Sequence, residues 1–196
     1  HCHSHGILRM PGYLKSFANG KANPAARPTW SKTAPGVIRG DGDNGVAPLS
    51  LNLMAEEIGA LAKQQGVACL ALTNMHHFAA LWPEMELMTQ QHLVAMTMTS
   101  AFPIVPPPGG TRPLFGTNPI AFAAPAERNA DFSLDMATTT VARGKIRNKY
   151  NEGQPLPVGW ANDKDGSPTT DAALLIDDLG GTQTPLGGTR DSGSHK

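Results

Sequence analysis

SLNLMAEEIGALAKQQGVACLALTN, residues 50–74, decides how this chain is to be read. Leu51, Leu53, Met54, Ile58, Leu61 and Ala62 recur at the spacing of one helix face, and Gly66 can adopt the left-handed turn that ends a helix. Ser50 offers a side-chain oxygen to the first turn. The spacing predicts a helix over 51–65. Val67-Ala68-Cys69-Leu70-Ala71-Leu72 is an apolar run of strand length bounded by Gly66 and Thr73-Asn74, which predicts a buried strand. Helix followed by strand is an α/β unit.

Upstream, residues 20–49 hold Pro24, Pro28, Pro35 and Pro48 among several glycines. That punctuation predicts a surface connector with a short strand at Val37-Ile38. Downstream, a second helix is expected over 77–91, with Pro83 tolerated near its start or at a kink, and a strand over 93–99. Pro103, Pro106 to Pro108, Gly109-Gly110 and Gly116 break the next stretch into a long loop, 100–119, of a kind that is often functional. Strands are expected at 120–124 and 132–136, a helix at 138–150 and a shorter one at 171–176. The chain divides into an N-terminal segment and connector, 1–49, and an α/β domain, 50–196.

The 196 residues include 16 Lys plus Arg against 16 Asp plus Glu, with 40% apolar and 16% charged residues. A balanced charge leaves no basic stripe or like-charge block with which to hold nucleic acid or an anionic membrane. The expected partner is a small molecule or another protein. No apolar run approaches the roughly 20 residues of a membrane helix, and the start does not read as a signal peptide. Cys2 and Cys69 form neither a disulfide framework nor a zinc spacing, so a cytoplasmic protein with reduced thiols is expected. The 21 Gly and 17 Pro are heavy punctuation, yet fall short of low-complexity disorder. Both ends read as cut, and a piece of a longer protein is expected.

Gly40-Asp41-Gly42-Asp43-Asn44-Gly45 matches the GxGxxG pattern of dinucleotide loops. Asp41 and Asp43, however, would set carboxylates where backbone amides should meet a pyrophosphate, so a tight turn is expected instead. A calcium loop fails too, because Gly45 holds the fifth position and no Glu the twelfth. His1, His3 and His5 alternate but lack a fourth ligand, so no metal site is expected. If this segment starts a helix, His5 and Arg9 project together, and an imidazole beside a guanidinium suits an acid substrate. Ser4 can orient the imidazole. His76-His77 follow a strand at a helix start, a place that serves equally for a ligand or for a polar cap. Arg143-Gly144-Lys145 sets two cations beside a glycine, which alone reads as a solvated helix face.

As an ordered set these residues resemble the malate/L-lactate dehydrogenase family of NAD(P)-dependent oxidoreductases, which does not use the Rossmann fold. The resemblance is carried by Ser4-His5-Gly6 with Leu8-Arg9, the turn from Gly40 to Gly45, NMHHFAALW (74–82), FGTNPIAFAAP (115–125), and Asp135 to Thr138 leading to Ala142-Arg143-Gly144-Lys145. LPVGWA (156–161), Pro168 to Asp171, Pro185 to Gly188 and His195-Lys196 continue it. The resemblance implies an α/β fold with a largely antiparallel sheet and flanking helices, an intertwined homodimer, and NAD or NADP as cofactor. It implies His5 as general acid/base with Ser4 and Lys145 in its relay. Arg9 would clamp the substrate carboxylate, with Thr117, Arg143 and Gly144 lining the substrate. His77, Phe78, Ala79, Ala80, Leu81, Asp135, Met136, Ala137, His195 and Lys196 would contact the cofactor.

The activity so implied is hydride transfer between nicotinamide and a small 2-oxo or 2-hydroxy acid, of the malate/lactate type. Family members that reduce the cyclic imines Δ1-piperideine-2-carboxylate and Δ1-pyrroline-2-carboxylate are similar around HHFAALW and FGTNPIAFAAP, with NADPH the favoured cofactor on that alternative. They tend to carry an acidic residue where Lys145 stands. A competing expectation from another class is an inactive truncated fragment.

Overall fold

The structure is a computed structural model that describes residues 5–76, 79–127 and 130–187. The fold is mixed α/β and forms two compact units. The first takes the chain up to Thr97 together with Ala121–Leu134, and the second takes Met98–Ile120 and the chain from Asp135 onward.

In the first unit, β1 (Thr29–Ala34) pairs antiparallel with β2 (Val37–Val46), and β2 pairs parallel with β3 (Cys69–His76). The region expected as a connector is therefore mostly strand. Its glycines hid that from the sequence. Along β2, Ile38, Gly40, Gly42 and Gly45 are buried while Arg39, Asp41 and Asp43 are exposed, the alternation of a half-buried strand. A Cβ on Gly40 would lie 2.5 Å from Leu72 Cδ1 and 3.0 Å from Met54 Cε, so the missing side chain lets the following helix lie against the strand. The expected tight turn survives only as a register shift between Asp41 and Gly45, where Asp43 and Asn44 take left-handed φ of 52° and 53°.

Helix α1 (Met10–Ala18) follows a 3-10 turn at Ile7–Arg9. Helix α2 (Ala47–Gln65) begins four residues before the expected start, running directly from extended Val46. Pro48 suits the first turn, where its missing N–H costs no helical bond. Ser50 is thus an interior, fully buried helix residue and not the cap, whereas Gly66, at φ 82°, ends the helix as expected. Strand β3 starts later than the apolar run suggested and leaves Cys69, Ala71 and Thr73 exposed while Leu70 and Leu72 are half-buried, because α2 packs on the other face of the sheet. Helix α3 (Trp82–Thr89) is shorter than expected, since Pro83 fixes its first turn. Beyond its end, Gln91 Nε2 donates to Ala55 O at 3.1 Å and to Leu87 O at 3.0 Å, tying α3 to α2.

Strands β4 (Ala95–Met98), β5 (Ile120–Ala124) and β6 (Phe132–Met136) form a sheet in that order. Ala121 and Ala123 pack with Leu81 and Met85 in a small core, while Phe122 and Phe132 meet edge to face at 5.9 Å on exposed positions. In the second unit, the long loop is braced by an antiparallel bridge from Val105 to Phe115. Helix α4 (Arg143–Asn151) starts later than expected because Thr138 and Thr140 bond elsewhere. Strand β7 (Ala161–Asn162) lies between β8 (Pro168–Thr169) and β9 (Thr182–Gln183), antiparallel to both, and α5 (Ala173–Ile176) precedes β9. Val141, Ile146, Leu156, Ala161, Ala172 and Leu175 form this unit's core. Among the described residues the strands form three three-stranded sheets, one of which contains the parallel pair β2/β3, where a largely antiparallel sheet was expected.

Candidate active site

The parallel pair β2/β3 sends both carboxyl ends toward one cleft of the first unit. From Val46 the chain enters α2, whose Pro48 and Asn52 line that cleft. From His76, paired with Val46, it continues to Ala79, Ala80 and the start of α3. Carboxyl ends of parallel strands, where helices begin, are the common binding place in α/β proteins. His5 and Gly6 close the cleft from the turn before α1. Its volume is about 390 Å³. His5 therefore shares a wall with Ala79 and Ala80, two of the residues that sequence resemblance assigned to the cofactor. Leu81 differs from them: its side chain is fully buried in the core.

Two further residues of this cleft, Trp82 at the end of NMHHFAALW and Glu84, had no role assigned to them. Trp82 is partly exposed on it, and Glu84, also on its wall, is only 5% exposed. Glu84 is the third residue of α3, and a carboxylate after a proline in a first turn reads from sequence merely as a helix start. Burial pushes the Tyr13 hydroxyl above its ordinary pKa, Arg9 opposes this, and the Glu84 charge adds to the rise. Arg9, half-buried one turn before Tyr13, thus acts electrostatically on the same phenol as Glu84.

In the second unit the site residues are held mainly by backbone. Thr117 O accepts from Thr138 N at 2.8 Å, and Thr138 Oγ1 lies 3.0 Å from Thr117 O and 3.1 Å from Asn118 O. Leu186 N donates to Thr138 O at 3.1 Å, Thr140 N to Thr184 O at 3.0 Å, and Thr140 Oγ1 to Pro185 O at 3.0 Å. The segments around Thr117, Ala137 and Pro185 therefore meet at Thr138 and Thr140. Gly116, one residue before Thr117, lies tight against Ala101: a Cβ there would stand 2.3 Å from Ala101 O. Buried Gln183 donates through Nε2 to Thr139 Oγ1 at 3.1 Å and to Val141 O.

Arg143 opens α4, donates to Leu175 O at 3.1 Å, and sets its guanidinium 5.0 Å from the Phe102 ring centroid. Burial lowers its pKa, Arg147 adds to that and Asp178 opposes it. The group stays charged at neutral pH. Gly144 is buried, Lys145 exposed, Asp135 exposed, and Met136 and Ala137 half-buried. Ser4, His77, Phe78, His195 and Lys196 lie outside the described residues, as do His1, Cys2 and His3. Among the described residues no group of three or more His, Cys, Asp or Glu is arranged to hold a metal, and no helix is long and apolar enough to cross a membrane.

The family of malate/L-lactate dehydrogenase matches this chain over residues 1–196. Over 190 residues the chain is 43% identical to a Δ1-pyrroline-2-carboxylate/Δ1-piperideine-2-carboxylate reductase of Pseudomonas putida, covering 97% of this chain and 55% of the relative. The crystal structure of Δ1-piperideine-2-carboxylate reductase from Pseudomonas syringae pv. tomato is similar with a TM-score of 0.90 at 40% identity, covering 98% of this chain and 57% of the other. That of malate dehydrogenase from Entamoeba histolytica gives a TM-score of 0.92 at 28% identity, covering 98% and 55%. The chain spans about 55% of the length of the curated relative from Pseudomonas putida.

Proposed function

This chain belongs to the malate/L-lactate dehydrogenase family, and on that premise we propose that the protein reduces small cyclic imines bearing a carboxylate, with NAD(P)H. The structural observation that carries this reading is the cleft shared by His5, Ala79 and Ala80. The choice of a cyclic imine over malate or lactate is supported by relatives of that description at 43% and 40% identity, against 28% for the malate dehydrogenase. The full protein would act as a cytoplasmic homodimer.

NAD(P)H, when bound, supplies the hydride. The methyl side chains of Ala79 and Ala80 leave space beside His5, and about 390 Å³ is within the range of small-ligand sites. It suits a ring-bearing group, with Asp135 to Ala137, His77, Phe78, His195 and Lys196 as the other cofactor contacts. His5 donates a proton to the ring nitrogen, so that the C=N bond becomes C–H and N–H as hydride reaches carbon. Ser4 and Lys145 tune that imidazole. Arg9 holds the substrate carboxylate in a bidentate pair, and Thr117, Arg143 and Gly144 line the substrate.

A second reading, reduction of a 2-oxo acid, is favoured by one observation: Lys145 is a cation where imine-reducing members tend to be acidic. The test is cofactor absorbance with NADH and NADPH against Δ1-pyrroline-2-carboxylate, Δ1-piperideine-2-carboxylate, pyruvate and oxaloacetate, using the full-length protein. Imine turnover well above oxo-acid turnover is the expected result. The reverse order selects the second reading, and no turnover of any of the four defeats both.

A further inference from the structure

The geometry points to Glu84 as the residue that makes this cleft select a cationic ring nitrogen over a neutral carbonyl or hydroxyl. The inference deepens the imine reading and rests on it. Glu84 is a carboxylate on the wall of the His5 cleft, 5% exposed, where water screens its charge poorly. Next to it Trp82 presents an indole 41% exposed to solvent, a surface that also favours cations. Among the described residues, the rest of the lining from α2 and the segment before α3, namely Pro48, Asn52, Ala79 and Ala80, carries no charge.

The chemistry gives such a wall a use. An imine accepts hydride readily once its nitrogen carries a proton, and His5 and the imine together hold one positive charge wherever that proton sits. The product amine keeps a positive charge, whereas the hydroxyl made from a 2-oxo acid is neutral. A buried carboxylate beside an indole stabilises the first series and does little for the second. Arg9, the cation that would hold the substrate carboxylate, acts together with Glu84 on the Tyr13 phenol and is unchanged in every variant compared. Glu84 also stands in the first turn of α3, where any carboxylate steadies the helix start. That structural role would affect both substrate classes alike, so selectivity distinguishes the two.

The experiment compares full-length wild type with Glu84→Gln and with Glu84→Asp, which keeps the charge. Glu84→Gln should lower kcat/KM for Δ1-pyrroline-2-carboxylate by about 10- to 100-fold, the loss of one charge-assisted contact, while pyruvate changes by less than about threefold on the same reasoning. Glu84→Asp should keep most of the imine preference. A parallel fall for both substrates, or no change in either, overturns the proposal. Binding read by calorimetry keeps the question open to decision if wild type turns over no imine, which would be a failure of the imine reading alone. Wild type should then bind L-proline at least about tenfold tighter than cyclopentanecarboxylate, which has the same ring without nitrogen. Equal affinities would refute the role of Glu84, even if neither variant folded.

Discussion

The two units hold their site residues by different means. In the first, a cleft at the ends of β2 and β3 is lined by residues from the turn before α1, from α2 and from α3, with His5 and Glu84 as its ionisable groups among the described residues. In the second, the segments at Thr117, Thr138 and Leu186 are joined through backbone amides and carbonyls, and the charged group beside them, Arg143, is engaged by Leu175 O and Phe102. A side-chain site can lose its function to one substitution and keep its fold. A backbone crossing fails through its geometry, so its weak points are positions where added atoms do not fit.

The sharpest way to test the contrast is to remove His5. His5→Ala should reduce imine turnover by about 10²- to 10⁴-fold, the usual contribution of a positioned acid/base. The melting temperature and cofactor affinity should stay near those of wild type. Steady-state kinetics beside a cofactor titration checks this, and a variant with wild-type kcat would remove His5 from the chemistry. In the second unit the matching change is Gly116→Val. Its new atoms would meet the Ala101 carbonyl, 2.3 Å from the ideal Cβ, and a loss of about 1–3 kcal/mol of stability is expected. Thermal or urea unfolding reads it, and a variant as stable as wild type would show that the crossing tolerates movement.

What could be read from the sequence follows the same division. Strands β5 and β6 stand where they were expected, 120–124 and 132–136, on either side of a polar turn, and the apolar face of α2 gave the helix and its glycine stop. Strand β2 was hidden because its inward positions are Gly40, Gly42 and Gly45, which carry no hydrophobic signal and look like turn residues. Thr182, Gln183 and Thr184 are buried in the second unit although polar, and local sequence carries no signal of it, since their burial depends on a neighbour 40 and more residues away, as in the bond from Gln183 to Thr139. His5 and Arg9 were singled out through spacing and resemblance, and His5 lines the cleft. Glu84 was not, because its significance arises only when α3 and the turn before α1 face the same cleft.

A smaller effect is expected where the first unit itself depends on a close approach. Gly59 of α2 lies against Gln91, and a Cβ there would fall 1.9 Å from Gln91 Oε1. Gly59→Ala gains about 1 kcal/mol of helix propensity. It also displaces the Gln91 side chain and its bonds to Ala55 O and Leu87 O, each worth about 1 kcal/mol. A net destabilisation of about 1 kcal/mol follows from these opposing contributions. Gly59→Ala combined with Gln91→Ala should recover stability relative to Gly59→Ala alone. A stabilised single variant would mean that Gln91 relocates without loss.

The smallest effect is a pH dependence in the bulge of β2. Asp41 Oδ1 accepts from the Asp43 backbone N–H and from Asn74 Nδ2, each at 2.8 Å, and these bonds, the backbone one foremost, hold its carboxyl below the ordinary range. A depressed folded-state pKa favours the folded protein while the unfolded chain still binds the proton more readily. The contribution is therefore fully present above the unfolded value of about 3.9 and disappears as pH falls through the lower folded value. Asp131 titrates in the same sense, through the Thr89 side chain first and then the Ala126 amide, so Asp41 accounts for part of the acid sensitivity and not all of it. Asp41→Asn should flatten the fall of unfolding free energy below about pH 4 while leaving the slope near neutrality unchanged. Denaturant curves collected from pH 2 to 7 would reveal it, and coincident slopes for wild type and variant would show that the bonds to Asp43 and Asn74 do not discriminate between the two protonation states.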